Sequence, residues 1–257
     1  MSSRTRPSRI ARIRTLLAFA VAITLMVWFA ADHRAELTAI YDRISPALPF
    51  ASEAKTPQVS QEGQWLEDGP TSIDPQQLAG LDIAEQDRSA DDYERDHFGN
   101  GWASTGGGCD MRDEILERDL VEVTYEHGSA CDVADGVLHD PYTGDTIEGD
   151  LSETVQIDHI VSLGDAWYSG AQGWSAEERE TFANDPDNLV AVDAPANMSK
   201  SDDSISEWYA DWQAPSQRSQ CRFAAQYVDV VASYDLSVTS DDYKLLKQLE
   251  TDCQDLT

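Results

Sequence analysis

Five residues in the second half of the chain have the types and order that phosphate-ester chemistry requires: Asp158 and His159 side by side, then Asn188, Asn197 and Lys200. Cleaving a phosphodiester takes a base to deprotonate water, a cation near the leaving oxygen, and positive charge at the non-bridging oxygens. His159 suits the base, because an imidazole titrates close to working pH. Asp158 and the Asn197 amide carbonyl are hard oxygen donors. They suit one Mg2+ or Mn2+ ion, which keeps several waters and needs few protein ligands. Lys200 is the sole lysine between Lys55 and Lys244, so it is not one surface lysine among many. Taken singly, Asp158-His159 would read as an ordinary polar pair, and Asn188 and Asn197 as turn or capping residues. Only the set at this spacing carries the chemistry.

The surrounding elements must bring the set together. Thr154–Leu163 reads as a strand rich in β-branched residues, and Asn188–Val192 as a second short strand. Pro195 fits the first turn of a helix running through Lys200. Adjacent residues on a regular strand point to opposite faces, so Asp158 and His159 share a site only if their strand ends or bends there. Upstream, Asp110–Val121 has helical spacing, and Val137–Ile147 reads as a hairpin around Asp140-Pro141-Tyr142-Thr143-Gly144. Ser175–Glu178 and Ser204–Glu207 are capping boxes that open helices, the first running to about Asn184. Ser240 can cap a last helix through Cys253. Strand pairs and helices without regular βαβ alternation make the class α+β.

Residues 1–14 hold five arginines and no acid, reading as a cytoplasmic segment; the remainder has 13 basic against 48 acidic residues, a net −35. So acidic a body repels phosphate at long range and counts against a nucleic-acid partner. Thr15–Ala31 carries no charge and reads as a signal anchor or a cleaved signal peptide, which places the rest of the chain outside the cytoplasm. If uncleaved, it would hold the protein to the membrane. Residues 32–75 contain Pro46, Pro49, Pro57, Pro70 and Pro75 and read as a linker, with the folded domain at 76–257. Cys109, Cys131, Cys221 and Cys253 make no CxxC pair. In an exported chain they suggest two disulfides, of which the sequence-local pairing 109–131 and 221–253 is favoured over the other connectivities. His97, His127 and His139 read as structural or exposed, and Trp102, Trp167, Trp174, Trp208 and Trp212 as core rather than base-stacking residues.

The stretch VQIDHIVSLGDAW followed by NDPDNLVAVDAPANMSKSD resembles the HNH (ββα-metal, or His-Me finger) nuclease motif. It is closely similar to exported actinobacterial HNH proteins related to the C-terminal domain of modification-dependent restriction enzymes. The spacing of Asn188, Asn197 and Lys200 also looks like that in the HNH domain of RNA-guided CRISPR nucleases. The resemblance extends upstream through FGNGW (Phe98–Trp102), GCDMRDEIL (Gly108–Leu116) and DPYTG. It implies a ββα-metal core with additional helices, His159 as general base, and Asp158 and Asn197 as ligands of one divalent metal. Asn188 would brace the loop that orients the histidine, and Arg112 with Lys200 would face phosphate. Two departures stand out: Ser162 where relatives often have Pro, and Asp113 where they often have Asn.

The function expected on this basis is an exported endonuclease acting on DNA, with RNA left open. Little sequence preference is expected, because no helix-turn-helix, zinc finger or other base reader is visible. The alternative is a non-catalytic surface module that keeps the same scaffold for binding or envelope structure. A calcium-dependent adhesin lacks the EF-hand-like loop it would need. No protein partner is inferred.

Overall fold

The computed structural model describes Trp65, residues 69–89 and residues 92–254. The expected arginine-rich and signal segments, and the expected linker up to residue 64, lie outside the described residues. Among the described residues no helix is long and apolar enough to cross a membrane.

Helix α1 (Pro75–Gly80) starts on Asp74, whose carboxylate accepts from the Gln76 amide, and leads into strand β1 (Asp82–Ile83). After a 3₁₀ turn at Arg95–Phe98, β2 (Ser104–Gly106) and β3 (Cys109–Asp110) pair antiparallel. Helix α2 (Met111–Asp119) opens on reciprocal bonds: Asp110 accepts from the Asp113 amide at 3.3 Å, and Asp113 from the Asp110 amide at 3.1 Å. The carboxylate at Asp113 is thus a helix-capping group.

Strands β4 (Leu120–Tyr125), β5 (Val133–His139) and β6 (Thr146–Glu148) form an antiparallel sheet in that order. A short α3 (Leu151–Thr154) precedes β7 (Val155–His159), which is followed by α4 (Leu163–Tyr168) and α5 (Ala176–Ala183). The chain then returns along β8 (Leu189–Asp193), paired with β7 from Val155↔Asp193 to His159↔Leu189, and turns directly into α6 (Ala194–Lys200). Helices α7 (Ile205–Asp211) and α8 (Gln217–Ser233), strand β9 (Ser237–Val238) and helix α9 (Ser240–Asp252) complete the order. β9 pairs parallel with β1.

The β7–β8 pair is buried on both faces. Val155, Ile157, Leu189 and Ala191 pack with Ile115 and Leu116 of α2, whereas Val190 and Val192 belong to the larger core that contains most of α8. Alternation along a strand makes such two-sided burial possible when both sets are apolar. The disulfide Cys221–Cys253 ties α8 to the end of α9, and Cys109–Cys131 ties β3 to the segment before β5.

Several elements differ from the sequence reading. The strand expected over 154–163 stops at His159, because Ile160–Ser162 turn away to start α4. Asn188 ends a 3₁₀ turn rather than starting β8, and Thr239, not Ser240, caps α9. Folded structure begins before Gln76: Trp65 and Ile73 are buried in the main core. Helix α8 was not among the elements expected from the sequence; it carries much of the main core, burying Phe223, Tyr227, Val228, Val230 and Val231.

Asp165 of α4 is buried, accepting from the Gln86 amide at 2.6 Å and the Tyr227 hydroxyl at 2.7 Å. Burial pushes its carboxyl up to about 6, against the pull of those two hydrogen bonds. The folded carboxyl therefore holds its proton more tightly than the unfolded one. Its contribution to stability is full below about pH 4 and is lost as pH rises through 6. Asp165→Asn should accordingly flatten the pH dependence of the urea midpoint between pH 4 and 6; an unchanged slope would contradict this.

Candidate active site

Asp158 and His159 sit where the β7–β8 ladder ends, each 5% exposed. Both reach one cleft of about 190 Å³, lined also by Arg95, Ser162, Asn197 and Asp202. The strand end is what allows neighbours of opposite pleat direction to share it.

Asp158 is held by two donors. Its Oδ2 accepts from the Tyr142 hydroxyl at 2.6 Å and from Lys200 Nζ at 3.0 Å. Lys200 is 2% exposed, approaches Oδ1 at 3.3 Å, and donates to the His159 carbonyl at 2.8 Å. Its ammonium also lies 5.9 Å from the centre of the Trp208 ring, which packs against Tyr142 at 4.8 Å. Tyr142 is delivered by the turn between β5 and β6. There the Asp140 carboxylate accepts from the Thr143 amide at 2.9 Å, the Thr143 hydroxyl at 2.6 Å and the Asp193 amide at 3.0 Å. Gly144 closes the turn at φ +79°, and a Cβ there would lie 2.7 Å from Pro215 Cβ, so a side chain is excluded twice over.

His159 is oriented from the other side. Its Nε2 lies 2.9 Å from the Ala183 carbonyl, in the last turn of α5, where helix carbonyls lack intrahelical partners. A carbonyl only accepts, so Nε2 carries the proton and Nδ1 keeps its lone pair. Nδ1 has no hydrogen-bond partner among the described residues. Burial pushes the imidazole down to about 3, opposed by the Ala183 bond and assisted by the charges of Arg95 and Lys200, so the ring is neutral at working pH. The Trp102 ring stacks on it at 5.8 Å and 16°. The Asn184 side-chain oxygen accepts from the Ala103 amide at 2.7 Å and so anchors the Trp102 segment to the same end of α5.

Asn188 is fully buried. Its amide side chain accepts from Val161 N–H at 2.9 Å and donates to the Val161 carbonyl at 3.3 Å, while its carbonyl accepts from Ile160 N–H at 2.8 Å. These bonds fix the loop that leaves His159. Ser162 ends the loop by accepting from the Asp165 amide at 3.1 Å, a cap for α4 that proline could not supply. Gly164 in that helix lets Asp202 approach, since a Cβ would stand 2.6 Å from Asp202 Cβ. Asn197 donates to Gln156 Oε1 at 2.9 Å, which leaves its amide oxygen free at the cleft.

Asp158, His159 and Asn197 thus come together, with Asn188 directly behind them. Two sequence-predicted roles have no such placement. Lys200 lies beneath the cleft, spent on Asp158 and a backbone carbonyl instead of facing phosphate. Arg112 is at the far end of β7, donating to the Leu151 and Val155 carbonyls at 3.5 and 3.3 Å. Its neighbours there are backbone acceptors exposed where α3 meets β7. Tyr142, Arg95 and Trp102 were missed as site residues; the only signals were the DPYTG turn and the FGNGW segment. The remaining tryptophans pack in or against the core as expected, and His97 stacks on Trp167.

Lys200→Met would leave a buried carboxylate without its counter-ion. It should cost about 3–5 kcal/mol of unfolding free energy by urea titration, whereas a lysine serving only to bind phosphate would leave stability unchanged.

The model of the GmrSD restriction endonuclease C-terminal domain matches residues 110–249. An uncharacterized secreted protein of Arthroderma benhamiae is 34% identical over 178 residues, which is 68% of this chain and 82% of that protein. No solved structure matches. With strands β4 to β9, the buried Asn188 and the strand-end Asp158-His159 pair all inside the matched segment, the chain belongs to the family of GmrSD restriction endonuclease C-terminal domains.

Proposed function

We propose that the protein is an extracytoplasmic, divalent-metal-dependent endonuclease whose β7, β8 and α6 form a ββα-metal (HNH) site. The observation that carries this reading is the His159 tautomer: Nε2 is committed to Ala183, and Nδ1 is left as an unprotonated acceptor beside two hard oxygens. The oxygens are Asp158 Oδ1, contacted only by Lys200 at 3.3 Å, and the free Asn197 amide oxygen. This donor set fits Mg2+ or Mn2+. Among the described residues no three His, Cys, Asp or Glu side chains converge as a cage, so an ion held here would keep most of its waters. When bound, it would supply charge stabilisation for the pentacoordinate phosphate and the departing oxygen.

The chain's own residues do the rest. His159 Nδ1 takes a proton from the attacking water as the oxygen–phosphorus bond forms, and the opposite phosphorus–oxygen bond breaks; the departing alkoxide takes a proton from solvent water to leave as an alcohol. Asn188 keeps the imidazole loop in place, and Tyr142 and Lys200 fix the Asp158 carboxylate. The acidic body is tolerable because the cleft itself is locally balanced: Asp158 and Asp202 face Arg95, with Lys200 just below.

The two disulfides and the secreted relative support an extracytoplasmic place of action, with the apolar segment 15–31 directing export. DNA is the substrate class suggested by the family description, and no base-reading element accompanies the cleft.

The test is supercoiled-plasmid nicking by the full-length protein with Mg2+, Mn2+ or EDTA. Cleavage should need the metal and fall about 10²–10⁴-fold in His159→Ala. A wild type inert across metals and salt would leave the non-catalytic surface module as the better account.

A further inference from the structure

We propose that Arg95 is the side chain that grips the scissile phosphate, so that the segment 92–102, upstream of the family match, is a working part of the site. The inference rests on the endonuclease reading above and deepens it.

Three observations converge on Arg95. First, it lines both the cleft that contains Asp158 and Asn197 and the adjoining pocket of about 60 Å³ that runs past His159 along Phe98 and Trp102. A group bound beside His159 and the two oxygens lies against Arg95. Second, Arg95 is exposed and has no hydrogen bond or ion pair among the described residues. Among the other described arginines, Arg88, Arg112, Arg118, Arg179 and Arg222 all donate to protein oxygens, and Arg218 is partnered as well. In so acidic a chain, an arginine at a cleft that forms no ion pair with any acid among the described residues is available to an outside anion. The planar guanidinium fork matches two phosphate oxygens at once.

Third, its base is rigid. Arg95 opens the 3₁₀ turn that ends at Phe98, which is 2% exposed and packs against Phe182 and Trp167. Arg179 donates to the His97 carbonyl at 2.8 Å, and the Trp167 indole donates to Asp92 at 3.0 Å. The turn is thus fastened to α4 and α5, which also hold His159. The positive charge that sequence reasoning assigned to Arg112 and Lys200 is supplied from a different part of the chain.

The experiment compares the full-length wild type with Arg95→Ala and Arg95→Lys in metal-dependent plasmid nicking. It also measures binding of a labelled DNA duplex in the His159→Ala background across a salt series, with Mg2+ present. Arg95→Ala should lower kcat/KM about 10²–10³-fold, with partial recovery in Arg95→Lys. In the binding series the same change should reduce the salt slope by about one counterion. Thermal unfolding should not move, because the side chain bonds to none of the described residues. Wild-type cleavage and salt slope in Arg95→Ala would overturn the inference and leave the nuclease reading intact. So would a loss of activity that tracks a lower unfolding temperature. A wild type that neither cleaves nor binds DNA would remove the nuclease reading and this inference together.

Discussion

A carboxylate and an ammonium can be buried together only if their geometry and remaining hydrogen bonds offset the loss of water. Asp158 and Lys200 meet that condition through the Tyr142 hydroxyl on one side and the His159 carbonyl on the other. Meeting it dictates much of the architecture. The strand must end beside the pair, α6 must start directly from β8 so that its last turn brings Lys200 underneath, and the β5–β6 turn must hold Tyr142 in the core. Trp208, Trp212 and Phe223 close around Tyr142 and exclude water from the pair. One consequence is functional. With one oxygen taken up by Tyr142 and Lys200, the carboxylate presents the other to the cleft in a fixed direction.

The histidine is governed by a separate constraint. Its ring is set by an unpaired carbonyl at the end of α5 and by the Trp102 face, and its backbone by Asn188 and Lys200. A neutral imidazole with a defined tautomer results, its titration moved by burial well below the near-neutral range of a free imidazole, with the Nδ1 lone pair left as the acceptor. The two constraints share Lys200, which bonds both the Asp158 carboxylate and the His159 carbonyl; the imidazole itself is held separately, by α5 and Trp102.

Much of this was legible in the sequence, for identifiable reasons. The Asp-His pair, Asn188 and Asn197 stand on short elements with strong local signals: β-branched strands, Pro195 in a first helical turn, and a capping box opening α5. The need for the strand to end at His159 followed from pleat geometry alone. Roles that depend on tertiary packing were not legible. Lys200 reads as a phosphate contact, because nothing local shows that Trp208 and Tyr142 will cover it. Arg112 reads as a phosphate contact until α2 places it over the carbonyls where β7 begins. Arg95 lies 64 positions before His159 and within no periodic pattern, so only the folded chain brings it to the cleft.

The acidic surface belongs to the body and not to the cleft, where opposite charges are matched. A bound divalent ion would tip that balance towards phosphate, coupling substrate affinity to metal occupancy. The central claim is that Asp158 and Asn197 hold one such ion next to His159. It is tested most directly by soaking crystals of the protein in Mn2+ and locating the ion from its anomalous scattering. The account predicts a single peak at bonding distance, about 2.1 Å, from Asp158 and Asn197 oxygens. A peak elsewhere, or none at this cleft under saturating Mn2+, would contradict it.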